Sequence, residues 1–186
     1  MDYLESVASN VYLEGAKAIN LVRTHIPHLS GKESVNTYLR ELTGWQSCAV
    51  PGYLPAKAFF ACLGRREFPT TIVIRPKESI NYLPEPDIFH DIFGHVPLHA
   101  DPVFADFLQT YGRAALTATD EVDTTRLARL FWFTVEFGLI RENDQLKLYG
   151  SGLISSPGES KHALESADVE RRPFDLDTVC NTDFEI

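Results

Sequence analysis

Two histidines within an apolar segment constrain the fold of this chain more than any other feature. His90 and His95 stand five positions apart in residues 85–99, EPDIFHDIFGHVPLH, with Asp87 and Asp91 close by. A buried imidazole requires a hydrogen-bonding partner or a metal ion, because an unsatisfied polar group inside a protein is costly. The fold must therefore bury this segment and supply both rings with partners.

The spacing of the two histidines differs from that of the common helical zinc motif. H-E-x-x-H places its histidines at i and i+4 on one face, whereas positions i and i+5 lie roughly 140° apart on an ideal α-helix. Gly94 and Pro97 can end or distort a helix here and so bring the second ring towards the first. On spacing alone, core histidines bonded to the backbone and metal ligands both remain open interpretations.

A third candidate ligand, Glu136, lies in residues 127–140, LARLFWFTVEFGLI. This segment is apolar almost all round and predicts a buried helix. A carboxylate is rarely buried unless it is paired, protonated or bound to a metal. Two histidines and one carboxylate suit ferrous iron with open positions for dioxygen and another reactant, whereas zinc prefers a tetrahedron. The sequence therefore predicts an iron site made by His90, His95 and Glu136.

Several long motifs around these residues resemble a known family. EPDIFHDIFGHVPL is followed about forty residues later by FWFTVEFGL and then by YGSGLISSPGE, and is preceded by TGW, VPGYLPAKAFF and RREFPTTIVIRP. Together they closely resemble the tetrahydropterin-dependent aromatic amino acid hydroxylases, and within that family the bacterial phenylalanine 4-hydroxylases. The resemblance implies a mainly α-helical catalytic-domain fold, a basket of helices and loops with a few short strands. We expect one catalytic domain, residues 1–186, that is short at both ends relative to the family.

The resemblance also implies a reaction and its participants. L-Phenylalanine, O2 and a tetrahydropterin would react at Fe(II) to give L-tyrosine and 4a-hydroxytetrahydropterin. Arg75 would hold the substrate carboxylate, and Ser155 would bond near the first iron-binding histidine. Phe131 stands where the best-known members have a tyrosine near the pterin and iron. The remaining residues implied are Gly52, Leu54, Phe59 and Asp91, with Phe131, at the pterin, and Pro86, Trp132, Phe137 and Gly152 around the substrate ring.

Three alternatives to this reaction remain open on the sequence. Because the shape of the slot selects the ring, the substrate could be tryptophan, or phenylalanine could be hydroxylated at another ring position. The short ends and Phe131 also leave open a paralogue that binds metal or pterin without turnover. A zinc hydrolase is the third alternative.

Composition and charge argue against two classes of binding partner. A net charge of −9 and a pI near 5.1 argue against nucleic acid and membrane surfaces, since binding polyphosphate requires clustered Lys and Arg. No signal peptide pattern and no apolar stretch of about 18 residues is present, and Cys48, Cys62 and Cys180 form no metal or disulfide pattern. We therefore expect a cytoplasmic protein, a monomer by default, that acts on a small aromatic amino acid.

Local patterns predict the elements that carry these residues. Helices are expected within residues 1–25, near 35–42, over 56–63 and from Asp101-Pro102 to 112. Residues 70–74 are β-branched and predict a strand, residues 117–125 an exposed turn with Asp120 or Asp123 as the helix cap, and Asn143-Asp144 a turn before a short strand.

Overall fold

The structure is a computed structural model that describes residues 32–79 and 85–184. The helix expected within residues 1–25 and most of the loop expected over residues 79–86 lie outside this part of the chain. Across the described residues, none of the helices combines the length and the apolar composition needed to cross a bilayer.

The first half of the described chain is built from a β-α-β unit covered by two further helices. Strands β1 and β2 run parallel, with Gln46 opposite Glu67 and Val50 opposite Thr71, and the helix between them packs against the long helix α3. Asp101 caps α3 by accepting a hydrogen bond from the backbone N–H of Phe104. The elements are α1 (Lys32–Leu42), β1 (Gln46–Val50), α2 (Ala56–Gly64), β2 (Glu67–Thr71), 3-10 turns at Lys77–Ser79 and Val96–Ala100, and α3 (Pro102–Ala115).

The second half continues from a capped helix into a hairpin and three shorter helices. Asp120 caps α4 by accepting from the N–H of Asp123. Asn143 and Asp144 both have positive φ and join the antiparallel strands β3 and β4, which confirms the predicted turn. The elements are α4 (Glu121–Phe131), β3 (Leu139–Glu142), β4 (Gln145–Leu148), α5 (Ser151–Ile154), α6 (Pro157–Glu165) and α7 (Leu176–Asn181).

Two π-helical turns contain the candidate ligands His90, His95 and Glu136. The first π turn is His90–His95 and the second is Trp132–Glu136, which directly follows α4. Each shows the i to i−5 hydrogen bond of this conformation: Val96 N–H donates to the Asp91 carbonyl, and Phe137 N–H donates to the Trp132 carbonyl. π turns are rare and are concentrated at functional sites.

The hydrophobic core has a large and a small cluster. The large one contains Trp45, Phe60, Leu63 and Leu108, all essentially inaccessible to solvent, and lies among the first three helices and β2. The small one lies under the β3–β4 hairpin, and its buried members are Leu148, Leu153, Ile154 and Ala163.

The predictions for α1, α2 and α3 are confirmed, but three others need correction. The strand over residues 70–74 is instead Glu67–Thr71; β1 ends at Val50, so residues 72–74 have no partner strand there and are exposed. Residues 121–125 of the expected turn belong to α4, because Asp120 caps that helix. The segment 127–140 is neither one helix nor fully buried; it passes through the second π turn, and three of its four aromatic side chains, Phe131, Trp132 and Phe137, line a cavity.

Candidate active site

The first π turn explains the five-residue spacing of the histidines. Because this turn closes its hydrogen bonds over five residues instead of four, side chains at i and i+5 come to the same side. The Nε2 atoms of His90 and His95 are 3.0 Å apart. Gly94 does not end the helix as considered above. A Cβ on it would lie 2.8 Å from the Ser151 carbonyl oxygen, so glycine allows the π turn to pack directly on α5.

Glu136 completes a three-residue cluster that could hold a metal ion. Its Oε1 lies 3.2 Å from Nε2 of His90, and its Oε2 lies 3.0 Å from Nε2 of His95. Metal–ligand bonds to such atoms are about 2.1 Å, so perpendicular bonds would separate the ligand atoms by about 3.0 Å and tetrahedral bonds by about 3.4 Å. The observed separations, which involve both oxygens of Glu136, are short enough for all three residues to bind one ion, and two histidines with one carboxylate are the ligand set that suits ferrous iron.

The protonation states of the histidines also fit metal binding. Burial lowers the pKa of His90 to about 4 and that of His95 to about 3, so both rings are neutral at pH 7 and can each donate a lone pair. Burial raises the pKa of Glu136 to about 6, while the neighbouring His90 acts in the opposite direction. A divalent cation would give this buried carboxylate the positive partner that neutral histidines do not provide.

The first histidine is oriented by residues from two other segments. Nδ1 of His90 lies 2.8 Å from Oγ of Ser155, which leaves Nε2 to face Glu136. Asp87 accepts a hydrogen bond of 2.9 Å from the backbone N–H of His90. The side chain of Asp87 is fully inaccessible to solvent and forms a two-point ion pair with Arg75, through Nε at 2.8 Å and Nη2 at 2.7 Å.

Sequence reasoning missed the role of Asp87. The residue was noted only as a neighbour of His90, although a carboxylate three positions before a candidate ligand and twelve after an arginine offers a pairing signal. The Arg75 guanidinium lines the cavity and also donates to the Ser155 carbonyl at 3.3 Å. A substrate carboxylate would thus be a second anionic partner for this cation.

A cavity of about 340 Å³ opens in front of the cluster, and it brings the predicted residues together. Phe59 and Phe131 meet edge to face with ring centroids 5.2 Å apart, and Trp132 packs on Phe137 at 4.7 Å. Tyr53 and Phe184 also line the cavity and were not predicted. The predicted residues on its wall are Gly52, Leu54, Phe59, Arg75, Pro86, His90, Asp91, His95, Phe131, Trp132, Glu136, Phe137, Gly152 and Ser155.

Asp91 is buried at the inner end of the first π turn. It accepts a 2.6 Å hydrogen bond from the backbone N–H of Thr71, the last residue of β2. Burial raises the pKa of Asp91 to about 7, although its hydrogen bonds from Thr71 act in the opposite direction. The group can therefore exchange a proton near neutral pH.

The fold and the cluster of His90, His95 and Glu136 fit the class of proteins with a mononuclear metal site, and comparison with known proteins gives the family. Residues 8–186 match the family described as biopterin-dependent aromatic amino acid hydroxylase, and the chain belongs to this family. A phenylalanine-4-hydroxylase from Mesorhizobium japonicum is 45% identical over 97% of the chain. A tyrosine 3-monooxygenase from Rattus norvegicus is 48% identical over 82% of it and is matched over 30% of its own length.

A solved structure extends the similarity to three dimensions. The structure of Chromobacterium violaceum phenylalanine hydroxylase with iron(III) and oxidised 7,8-dihydrobiopterin aligns with a TM-score of 0.88 at 38% identity. The alignment covers 99% of this chain and 69% of that one. The mainly helical fold expected from the resemblance is thereby confirmed. The chain spans 64% of the length of the Mesorhizobium relative.

Proposed function

We propose that residues 1–186 form one catalytic domain of an iron- and tetrahydropterin-dependent monooxygenase. Its reaction would convert L-phenylalanine, O2 and tetrahydropterin into L-tyrosine and 4a-hydroxytetrahydropterin. The observation that carries this proposal is the convergence of His90, His95 and Glu136 on an aromatic cavity. The phenylalanine hydroxylase relatives support the choice of substrate.

His90, His95 and Glu136 would hold the iron, and Ser155 would fix the ring of His90 through Nδ1. Bound iron and pterin together would supply the redox chemistry that activates dioxygen. The protein would contribute position and exclusion of water, because both histidine rings and the carboxylate are largely withdrawn from solvent. These metal-binding roles remain our prediction for the chain.

The pterin would lie along the wall that carries Phe59 and Phe131. Phe59 packs partly buried against the large core cluster, so its ring is a rigid surface on which a flat heterocycle can stack. Backbone groups of Gly52 and Leu54 would bond the pterin edge, and Asp91 would approach it through water. The hydroxyl that a tyrosine would bring is absent at Phe131, which we expect to loosen the coupling of pterin oxidation to hydroxylation.

The amino acid would lie across the cavity with its carboxylate towards Arg75. The ring would enter the aromatic slot formed by Pro86, Trp132 and Phe137, with Gly152 leaving room beside Glu136. Asp87 and Ser155 hold the guanidinium in place, so the clamp is formed before substrate arrives. Arg75→Ala should therefore raise the concentration of amino acid needed, and it should also lower the free energy of unfolding because it leaves the buried Asp87 carboxylate unpaired.

The deciding experiment is anaerobic reconstitution with Fe(II), followed by oxygen, a tetrahydropterin and L-phenylalanine, with tyrosine and oxidised pterin counted together. We expect tyrosine formation to accompany pterin oxidation.

Glu136→Ala and His90→Ala should abolish iron binding, and an intact iron content in Glu136→Ala would refute the ligand set. Zinc in the purified protein, with activity that survives without pterin and oxygen, would favour a hydrolase.

Product analysis separates the alternatives within the family. The chain shares its highest identity among the relatives named above with a tyrosine 3-monooxygenase, so L-tyrosine and L-tryptophan belong in the same assay. Another hydroxylated product in place of L-tyrosine would indicate another ring or ring position, and pterin oxidised without any hydroxylated product would indicate an uncoupled site. Binding of iron and pterin without any product would indicate a paralogue that does not turn over.

We further propose that the protein acts as a cytoplasmic monomer without nucleic acid or membrane partners. Cys48, Cys62 and Cys180 form no disulfide bond within the described residues, which fits a reducing compartment. All three proposed ligands come from one chain, so the site requires no second copy. Sedimentation of the iron-loaded protein at two concentrations would detect an oligomer.

A further inference from the structure

The segment after α7 places an aromatic ring in the candidate active site. Phe184 lines the cavity and stacks on Trp132, with centroids 4.4 Å apart and ring planes 13° from parallel. It also meets Phe133 edge to face at 6.3 Å. At 4.4 Å no further ring fits between Phe184 and Trp132, because stacked rings are already in contact at this distance.

Polar contacts fix this segment on α4. Arg129, in the last turn of α4, forms an ion pair with Asp183 and donates to the carbonyl of Cys180 at 3.3 Å. Helix α7 packs along α4 and is capped by Asp175, whose side chain accepts from the N–H of Thr178. Because the Asp183 side chain is 90% exposed, its ion pair holds the segment only weakly, and the packing of α7 on α4 does most to position the Phe184 ring.

Trp132 packs against two aromatic rings in different orientations. Phe184 stacks on it almost in parallel, whereas Phe137 meets it at 4.7 Å with planes 38° apart. A substrate ring in the slot must then be accommodated beside this stack. The stack of Phe184 on Trp132 thus limits the space for a substrate ring on that side of the slot.

We propose that Phe184 is a specificity-determining residue that restricts the slot to amino acids with a single six-membered aromatic ring. The inference rests on the proposed function, since it concerns the substrate of the same site. Removing the ring opens space next to Trp132 that a fused bicyclic side chain such as indole can occupy. Shape exclusion of this kind changes specificity by roughly 10-fold or more.

The test compares Phe184→Ala with wild type on L-phenylalanine and L-tryptophan. We expect the ratio of kcat/KM for L-tryptophan to that for L-phenylalanine to rise by roughly 10-fold or more in the variant. Phe174→Ala is the matched control, because Phe174 is 65% exposed, precedes α7 and does not line the cavity. Its ratio should stay at the wild-type value. Phe184→Leu, which keeps apolar contact with Trp132 and Phe133, should give an intermediate ratio.

A binding measurement makes the inference testable apart from turnover. Calorimetric titration of each amino acid into anaerobic Fe(II)-loaded protein should show tighter L-tryptophan binding in Phe184→Ala than in wild type. An unchanged ratio of affinities, in a variant with normal iron content and thermal midpoint, would overturn the role of Phe184. Absence of any hydroxylated product from wild type, with the affinity shift still present, would instead refute the proposed function alone.

Discussion

The two sides of the candidate metal site are held by different physical means. The side that carries His90 is bonded: Ser155 contacts its ring, and Asp87 receives its backbone N–H together with the Arg75 fork. The side that carries Glu136 is positioned mainly by the space available to the carboxylate. Within the described residues, the polar contacts of its carboxylate are those to the two histidines, and Gly152 leaves the space that it occupies.

This difference means that hydrogen bonds set the orientation of the His90 ring, whereas the space beside Gly152 determines where the Glu136 carboxylate can lie. Hydrogen bonds fix the direction of a histidine ring, so their loss should weaken metal binding in graded steps. The Glu136 carboxylate occupies the space beside Gly152. Its position should therefore tolerate the loss of a nearby polar group but not an additional atom in that space. Substitutions on the two sides should therefore fail in different ways.

The largest effect is expected on the bonded side, from Asp87→Ala. Removing this fully buried carboxylate leaves Arg75, whose side chain is 10% exposed, without its two-point partner. Loss of one member of a buried ion pair costs about 3–5 kcal/mol of the free energy of unfolding. Urea denaturation of the metal-free protein measures this cost. Asp87→Asn, which also removes the charge but keeps the shape and one acceptor, should lose less. A loss in Asp87→Ala of only about 0–1 kcal/mol, the range of an exposed ion pair, would remove the buried ion pair from the explanation.

The second effect is on the side that carries Glu136, from Gly152→Ala. The new Cβ would lie 2.8 Å from Oε1 of Glu136 and 3.0 Å from Cζ of Phe137, so the carboxylate must leave its position. We expect at least a 10-fold loss of Fe(II) affinity, measured by anaerobic titration with a chromophoric chelator. Gly52→Ala is the control, since a Cβ there meets nothing within 4 Å although Gly52 lines the same cavity. Equal Fe(II) affinities in the two variants would contradict the role of the space beside Gly152.

A smaller effect is expected from Ser155→Ala. The variant loses the 2.8 Å contact with Nδ1 of His90 but keeps the backbone carbonyl that Arg75 uses. Loss of such a supporting bond typically lowers metal affinity 10- to 100-fold, and because His90 keeps its bond to Asp87 we expect the lower end of that range. Ser155→Thr retains a hydroxyl and should restore part of the affinity in the same titration; no recovery would point to packing instead.

The smallest effect is a dependence of stability on pH. Burial disfavours the charge on Asp87, but hydrogen bonds from Arg75 and from the His90 backbone outweigh it and lower the pKa of Asp87 below its usual value. A lowered folded-state pKa contributes stability above the unfolded pKa of about 3.9, and this contribution is lost as pH falls through the folded value. The difference in unfolding free energy between wild type and Asp87→Asn should thus be constant from pH 7 to 5 and shrink below about 4.

The sequence was sufficient to single out candidate ligands but not most of the contacts around them. His90, His95 and Glu136 stood out because polar groups in apolar runs need partners, and the family resemblance named Ser155 and many residues of the cavity wall. The pairing of Arg75 with Asp87, 12 positions apart, left only a weak signal, and the stacking of Phe184 on Trp132 depends on a contact across 52 positions, which no local pattern encodes. The strand was misplaced because β-propensity alone does not show where the partner strand ends.

The π turns make the metal site sensitive to chain length as well as to residue type. Each is equivalent to an α-helix that contains one extra residue, and in the first turn the extra residue lies between the two histidines. Deleting one residue from the interval 91–94 would restore the i, i+4 spacing of H-x-x-x-H. The histidines would still converge, now on a regular helix, and because the π turn already absorbs the extra residue, the segments on either side would keep their register relative to Glu136. The iron and zinc contents of such a deletion variant would show how far a single peptide unit determines which metal the site holds.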